Sequence, residues 1–115
     1  MKADIECRLI CTVKDSALDL PEELNNKEIY NFEDKEYEIV KAEIKSWELA
    51  EALDLMFDKA KIYFAKLKRL ANENKIQIYV DVCIYHYEKY PALIIEGKAM
   101  ENIRELKADI GIDMY

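Results

Sequence analysis

The N-terminal residues alternate between apolar and polar side chains, which is the pattern of a strand with one buried face. Along residues 4–14 the apolar set is Ile5, Cys7, Leu9, Cys11 and Val13. The same period of two, or a short apolar run, predicts five further strands, at 28–32, 36–47, 76–88, 92–96 and 112–115.

Two segments place apolar residues three and four positions apart, which predicts amphipathic helices. The first, residues 48–74, is long enough for about seven turns, and its acids lie early and its bases late, as the helix dipole favours. The second helix is predicted over residues 98–109, and Gly111 suits the left-handed residue that follows it.

The predicted order of elements is β-β-β-α-β-β-α-β. Each helix has one apolar stripe and each strand one apolar face, so the simplest packing is a single sheet with the two helices on one face. We therefore expect an α+β fold with a mainly antiparallel sheet, in a single domain over residues 1–115.

Composition is typical of a globular protein and limits its partners. Of the 115 residues, 51% are hydrophobic and 36% are charged, and the net charge is −7. Such a surface repels polyanions, so we expect no nucleic acid partner and no binding to an anionic membrane. The apolar tracts are strand-sized, and no apolar N-terminal segment indicates a signal peptide. Three cysteines, an odd number, suit free thiols, so we expect a cytoplasmic location.

The net negative charge arises entirely within residues 15–38, which we call the acidic arm. The arm holds nine acids and two bases, while the other 91 residues hold fifteen of each. Charge runs of this kind are commonly solvated loops that aid solubility. The alternative is a docking surface for a basic protein. Its candidate contact residues are Asp19, Glu22, Glu23, Glu28, Glu33, Asp34 and Glu36.

No pattern typical of an active site or a cofactor occurs. Two glycines cannot form a Gly-rich phosphate loop. Cys7 and Cys11 lie about 13 Å apart along a strand, too far to share a zinc ion. Cys83 and His86 have an odd spacing, which sends them to opposite faces of a strand. We expect three core cysteines, no metal, no cofactor and no enzymatic activity.

Eight tyrosines are a high number for this length, and three of them lie on one predicted strand. Tyr79, Tyr85 and Tyr87 share the face opposite the aliphatic one, with Asp81 between them. Tyrosine suits a half-exposed sheet surface, but exposed aromatic residues also anchor interfaces. These four residues are the alternative binding surface. Folding can also bring Asp81 close to Asp113, which is the candidate hidden acid pair.

The order of segments in the C-terminal half is distinctive. A long helix rich in Leu and Phe is followed by a strand, by Tyr90-Pro91-Ala92-Leu93-Ile94-Ile95, and by a helix with the ending Asp109-Ile110-Gly111-Ile112-Asp113-Met114-Tyr115. Nearer the N-terminus lie the acidic turn Leu18-Asp19-Leu20-Pro21-Glu22-Glu23 and Trp47. In these features, chiefly over residues 50–115, the chain resembles a bacterial family known as domain of unknown function number four-two-seven-nine. The resemblance implies an α+β fold, and neither an established activity nor catalytic residues.

Small acidic proteins of this general type occur beside polymorphic toxins as immunity proteins. Together with the acidic arm, this predicts a non-enzymatic cytoplasmic interaction protein, and specifically an immunity protein that inhibits a basic toxin. The alternative is a small-ligand-binding or homodimeric structural module that uses the tyrosine-rich face.

Overall fold

The computed structural model of the chain describes residues 2–14, 28–29, 35–86 and 88–115. Five strands, three α-helices and one 3-10 turn follow one another along these residues. They are β1 (Ala3–Val13), β2 (Glu28–Ile29), β3 (Lys35–Ser46), α1 (Leu49–Ala60), the 3-10 turn (Lys61–Tyr63), α2 (Phe64–Asn72), β4 (Ile76–Tyr85), α3 (Gly97–Glu105) and β5 (Asp109–Met114).

The strands form one sheet in the order β2-β3-β1-β4-β5. β1 pairs antiparallel with both β3 and β4, and the short β2 pairs antiparallel with β3. β4 and β5 are parallel, and the chain between them contains α3, which provides the crossover that a parallel pair requires. The α+β class is thus confirmed. The sheet is mixed, with three antiparallel pairings and one parallel pairing.

One face of the sheet carries the hydrophobic core. The odd-numbered residues of β1, from Ala3 to Val13, are buried there beside the even-numbered residues of β4. The helices cover this face, since α1 packs on β1 and β3, α2 packs on β4, and α3 packs against α1. Leu53, Met56 and Leu67 of the helices are fully buried in the same cluster. The apolar residues at every second position of the strands and at every third or fourth position of the helices therefore meet in one core.

The helix predicted over residues 48–74 is two helices joined by the tighter 3-10 turn. The turn lies where the chain stops packing on β1 and β3 and begins to pack on β4. Within it, Ile62 is 81% exposed, while the flanking Tyr63 and Phe64 pack against the core. Short 3-10 segments commonly connect helices in this way, and apolar spacing alone does not reveal them.

The prediction of a strand over residues 92–96 is wrong. Only Ala92 makes a sheet-like contact, because its N–H donates to the Trp47 carbonyl at 2.8 Å and its carbonyl accepts from the Leu49 N–H at 2.9 Å. Both edges of β4 are already occupied, by β1 and by β5, so this segment has no free edge beside the strand it follows. The observed order is accordingly β-β-β-α-α-β-α-β, with the 3-10 turn between the first two helices.

The last strand begins earlier than predicted. α3 ends at Glu105, and Lys107 (φ 51°) takes the left-handed conformation after it. Gly111, which was predicted for that role, lies in the middle of β5 and pairs with Asp81. β5 therefore brings residues 109–114 alongside the strand that carries the predicted tyrosine-rich surface.

Candidate functional site

The sheet face opposite the helices is lined mainly by charged and aromatic side chains. Residues paired across strands point to the same face, and Arg8 pairs with both Lys41 and Asp81. No helix of the described residues packs on this side, and Ile10, which is buried here, lies outside the core cluster. We call this surface the open face. Its charged and tyrosine residues are Asp4, Glu6, Arg8, Glu36, Glu38, Lys41, Glu43, Lys45, Tyr79, Asp81, Tyr85, Asp109, Asp113 and Tyr115.

The open face is strongly acidic. Eight of these side chains are carboxylates and three are basic, which gives a net charge of −5 at neutral pH. Only Glu36 and Glu38 belong to the acidic arm. The other six carboxylates come from four different strands, so the linear sequence shows no charge run that would indicate this surface.

The structure describes only the C-terminal part of the acidic arm and its β2 residues. Five of the seven predicted contact residues lie outside the described residues: Asp19, Glu22, Glu23, Glu33 and Asp34. Glu28 lies in β2 opposite Tyr37, and Glu36 lies in β3 opposite Thr12. The described part of the arm thus runs along the β3 side of the sheet, and its residues Glu36 and Glu38 lie on the open face.

Arg8 lies at the centre of the open face and contacts carboxylates on three strands. Its Nε and Nη2 atoms donate to Asp81 Oδ2, at 3.2 and 2.5 Å. Nε also lies 3.8 Å from Glu6 Oε1, and Nη1 lies 3.9 Å from Glu38 Oε1. Asp81 is only 9% exposed, and a carboxylate this buried needs a partner. The single Arg8 guanidinium therefore lies within ion-pair distance of three carboxylates.

Two glutamates stand directly opposite each other beside Arg8. Glu6 on β1 pairs with Glu43 on β3, and like charges in such a pair are destabilising. Lys41 bridges them, with its Nζ 2.8 Å from Glu43 Oε1 and 3.7 Å from Glu6 Oε2. The hydrogen bond between Lys41 and Glu43 lowers the pKa of the carboxyl and raises the pKa of the amine. Glu6 is thus within ion-pair distance of both Arg8 and Lys41, while Glu43 contacts Lys41.

Asp4, near the start of β1, contacts two basic side chains. Lys45 Nζ lies 2.9 Å from Asp4 Oδ1, and His86 Nδ1 lies 2.8 Å from Asp4 Oδ2. The hydrogen bond from Lys45, followed by that from His86, lowers the pKa of Asp4. The one histidine of the chain is thus hydrogen-bonded to a carboxylate at the end of the sheet.

A groove of about 420 Å³ lies on this part of the open face. Three carboxylates, Asp4, Glu6 and Glu43, line it together with Lys45 and the ring of Tyr85. Carboxylates beside an aromatic ring are the surroundings that a lysine or arginine side chain prefers. The groove can therefore receive a basic side chain.

A second groove, of about 570 Å³, lies on the helix side between α1, α2 and α3. Phe57 and Phe64 contribute apolar surface to it. Its charged residues are Asp54, Asp58, Lys61 and Lys98, two of each sign. This balance favours neither a cationic nor an anionic ligand.

Three of the four residues of the predicted tyrosine-rich surface lie together. Tyr79, Asp81 and Tyr85 share the open face, and Tyr87 lies outside the described residues. Tyr85 stacks on Tyr115, with the ring centroids 5.0 Å apart and the planes 11° from parallel. The sequence did not indicate Tyr115, because its contact depends on the parallel pairing of β5 with β4.

Cys83 is buried, as predicted, but it lies on the open face and outside the main core cluster. It is placed between Asp81 and Asp113, and one ligand atom of each of the three lies within 4.8 Å of the others. The acid pair that the sequence suggested therefore does come together. Arg8 already bonds Asp81, and burial raises the pKa of the Cys83 thiol, so a metal ion would not meet three anionic ligands here.

Cys7 and Cys11 are core residues, as predicted. Burial raises the pKa of each thiol to about 12. Thiols of this kind carry almost no thiolate at neutral pH, so they are poor nucleophiles.

No protein-family model, curated protein or solved structure matches the chain. The resemblance to the bacterial family of unknown function therefore stays a prediction from the segments quoted above. In the part of the chain that the structure describes, every helix is too short or too polar for a membrane span.

Proposed function

We propose that this chain is a non-enzymatic interaction protein that binds a basic protein partner through its open face and the acidic arm. The observation that supports this best is the set of eight carboxylates and three bases on a sheet face that no described helix covers. A surface with one dominant sign attracts partners of the opposite sign and speeds their encounter.

The local arrangement of the acids also favours a cationic partner. The carboxylates of Glu6 and Glu43 stand opposite each other, and a lysine or arginine side chain in the adjacent groove would add a cation beside them. The ring of Tyr85 in the same groove would contact the cation. Tyr79 and Tyr85 would then be aromatic anchors of this one interface.

A homodimer formed between two open faces is less favourable. It would bring two surfaces with a net charge of −5 together, and like charges across an interface oppose association. The tyrosines of the open face therefore fit a heterologous, basic partner better than a second copy.

The partner class that this charge suits is a protein with a positively charged functional surface, such as a nuclease toxin. An acidic protein that binds over such a surface would exclude the toxin's polyanionic substrate and thereby inhibit it. This mechanism of attraction followed by occlusion needs no catalytic residue, cofactor or metal in the present chain.

The test uses charge reversal at two matched pairs of positions. Glu36→Lys with Glu43→Lys alters the open face, and Asp54→Lys with Asp58→Lys makes the same change in net charge on α1. Each tagged double variant is used to capture proteins from a lysate of the native cell over a series of salt concentrations. We expect the unaltered chain and the α1 variant to retain a basic protein that salt releases, and the open-face variant to lose it.

The α1 variant separates the effect of position from that of total charge. Equal loss of capture with both double variants would indicate only a general dependence on net charge. Capture that neither salt nor charge reversal alters would contradict the proposed function.

A further inference from the structure

β5 forms one edge of the sheet, and its outer side has no neighbouring strand among the described residues. The Tyr115 N–H donates to the Ile84 carbonyl at 2.9 Å, so it turns toward β4. Backbone polar groups alternate sides along a strand, so every second residue before Tyr115 turns the same way. The N–H and C=O groups that point outward are then those of Ile110, Ile112 and Met114.

The side chains of these three residues are incompletely covered. Their neighbours on β4 are Val80, Val82 and Ile84, each with no exposed area. The three residues of β5 pack against the same core but remain half-exposed at its margin. A further strand beside β5 would pair with the outward backbone groups and cover this apolar surface.

The opposite side of β5 carries negative charge. Asp109 and Asp113 are exposed there, four residues apart on the open face. Gly111 lies between them and has no side chain of its own, and the ring of Tyr79 occupies that space. Charged residues on an edge strand oppose pairing with a strand of like charge and favour one of opposite charge.

We propose that β5 is the docking edge for an extended, basic segment of the protein partner, which adds a strand to the sheet. The inference rests on the proposed function, because it takes the partner to be basic, and it adds the edge and the conformation of the bound segment. Main-chain hydrogen bonds to Ile110, Ile112 and Met114 provide affinity, while lysine or arginine residues at positions i and i+4 pair with Asp109 and Asp113.

A second copy of this chain fits the edge less well. Each copy carries a net charge of −7, and pairing two β5 strands would add four aspartates to one short interface. An extended segment with alternating basic and β-branched residues has neither disadvantage.

The experiment uses a designed peptide and the full chain labelled with ¹⁵N. The peptide is acetyl-Gly-Lys-Val-Thr-Val-Lys-Val-Gly-amide, which places two lysines on one face and three valines on the other. Its control has glutamate in place of both lysines. Hydrogen exchange of individual amides is followed by NMR at low salt. We expect the lysine peptide to slow exchange at Ile110, Ile112 and Met114 by at least about tenfold, with the glutamate peptide having no effect.

Two variants separate the contribution of the β5 backbone to peptide binding from that of the two aspartates. Ile112→Pro removes one outward N–H at an edge position where proline is tolerated, and we expect about tenfold weaker peptide binding. The double change Asp109→Lys and Asp113→Lys leaves the backbone groups in place, so it should reject the lysine peptide and accept the glutamate peptide. This second variant keeps the test decisive if the proline variant does not fold.

The outcomes distinguish this inference from the proposed function. If the lysine peptide binds without slowing exchange at the three amides, β5 is not the docking edge, while the proposed function stands. The same holds if the peptide does not bind but the lysate experiment yields a salt-sensitive basic partner. If these amides become better protected from exchange as the protein concentration increases, without any peptide, a second copy is the occupant and the inference is overturned. Failure of both the peptide and the lysate experiment would contradict both proposals.

Discussion

The ring of Tyr79 lies over Gly111 on the open face. A β-carbon added at position 111 would overlap the tyrosine hydroxyl and lie 2.9 Å from the Cζ atom. Gly111 does not have a left-handed φ, so the backbone itself would accept another residue. Close approach of an aromatic side chain is therefore what requires glycine here, as occurs where aromatic residues cover a glycine in a neighbouring strand.

Replacing Gly111 with alanine should therefore reduce the free energy of unfolding by about 1–3 kcal/mol, because Tyr79 must move away. The cost should fall below about 0.5 kcal/mol when Tyr79→Ala is already present, since the two residues are directly coupled. Urea unfolding of the four chains of this double-mutant cycle measures both values. An equal cost in the two backgrounds would show that the strand itself, and not Tyr79, excludes alanine.

The position of Gly111 in β5 is one of two features that the sequence pattern predicted incorrectly. A glycine after an amphipathic segment indicates a helix end, and that interpretation was wrong because Lys107 supplies the left-handed residue. Residues 92–96 have the composition of a strand, but strand formation depends on a free edge, and β4 has none to offer. Both errors arise because edges and close approaches are properties of the assembled sheet.

Arg8 is the next residue whose removal has a defined consequence. Arg8→Ala leaves Asp81 without its hydrogen-bond donor among other carboxylates, and should reduce the free energy of unfolding by about 1–3 kcal/mol. Arg8→Lys retains the charge but donates from a single nitrogen, so its cost should be smaller. Adding Asp81→Asn to Arg8→Ala should restore part of the loss, because the amide needs no cation. Urea unfolding checks the series, and an Arg8→Ala chain that regains no stability when Asp81→Asn is added would contradict the pairing.

The face of each strand residue was predictable, but the composition of the open face was not. A period of two correctly placed Tyr79, Asp81 and Tyr85 on the side away from the aliphatic residues. Arg8 and Asp81 are 73 positions apart, however, and their contact depends on which strands are neighbours. Local patterns determine faces, whereas strand order follows from how the helices and edges fit together, so the acidic surface became visible only in three dimensions.

Asp4 predicts a pH dependence of stability. Lys45 and His86 lower its pKa in the folded chain below the ordinary value of 3.8. The carboxylate therefore stabilises the fold fully above pH 3.8, and this contribution is lost as pH falls through the lowered pKa. Asp4→Asn should reduce stability at neutral pH at low salt, and the difference from the unaltered chain should disappear in acid. Denaturant midpoints measured between about pH 2 and 7 check this, and a difference that persists at the acid end would exclude the ionised carboxylate as its cause.

The three cysteines should react with a thiol reagent in two classes. Cys83 lies on the open face at 9% exposure, whereas Cys7 and Cys11 have no exposed area and thiol pKa values of about 12. We therefore expect Ellman's reagent at pH 8 to modify Cys83 first, and the two core thiols to react only as fast as the chain unfolds globally. The Cys83→Ser variant should lose the first phase and keep the slow one. A fast phase that survives in this variant would show that β1 opens locally, and the core beneath the helices would then be less stable than its burial indicates.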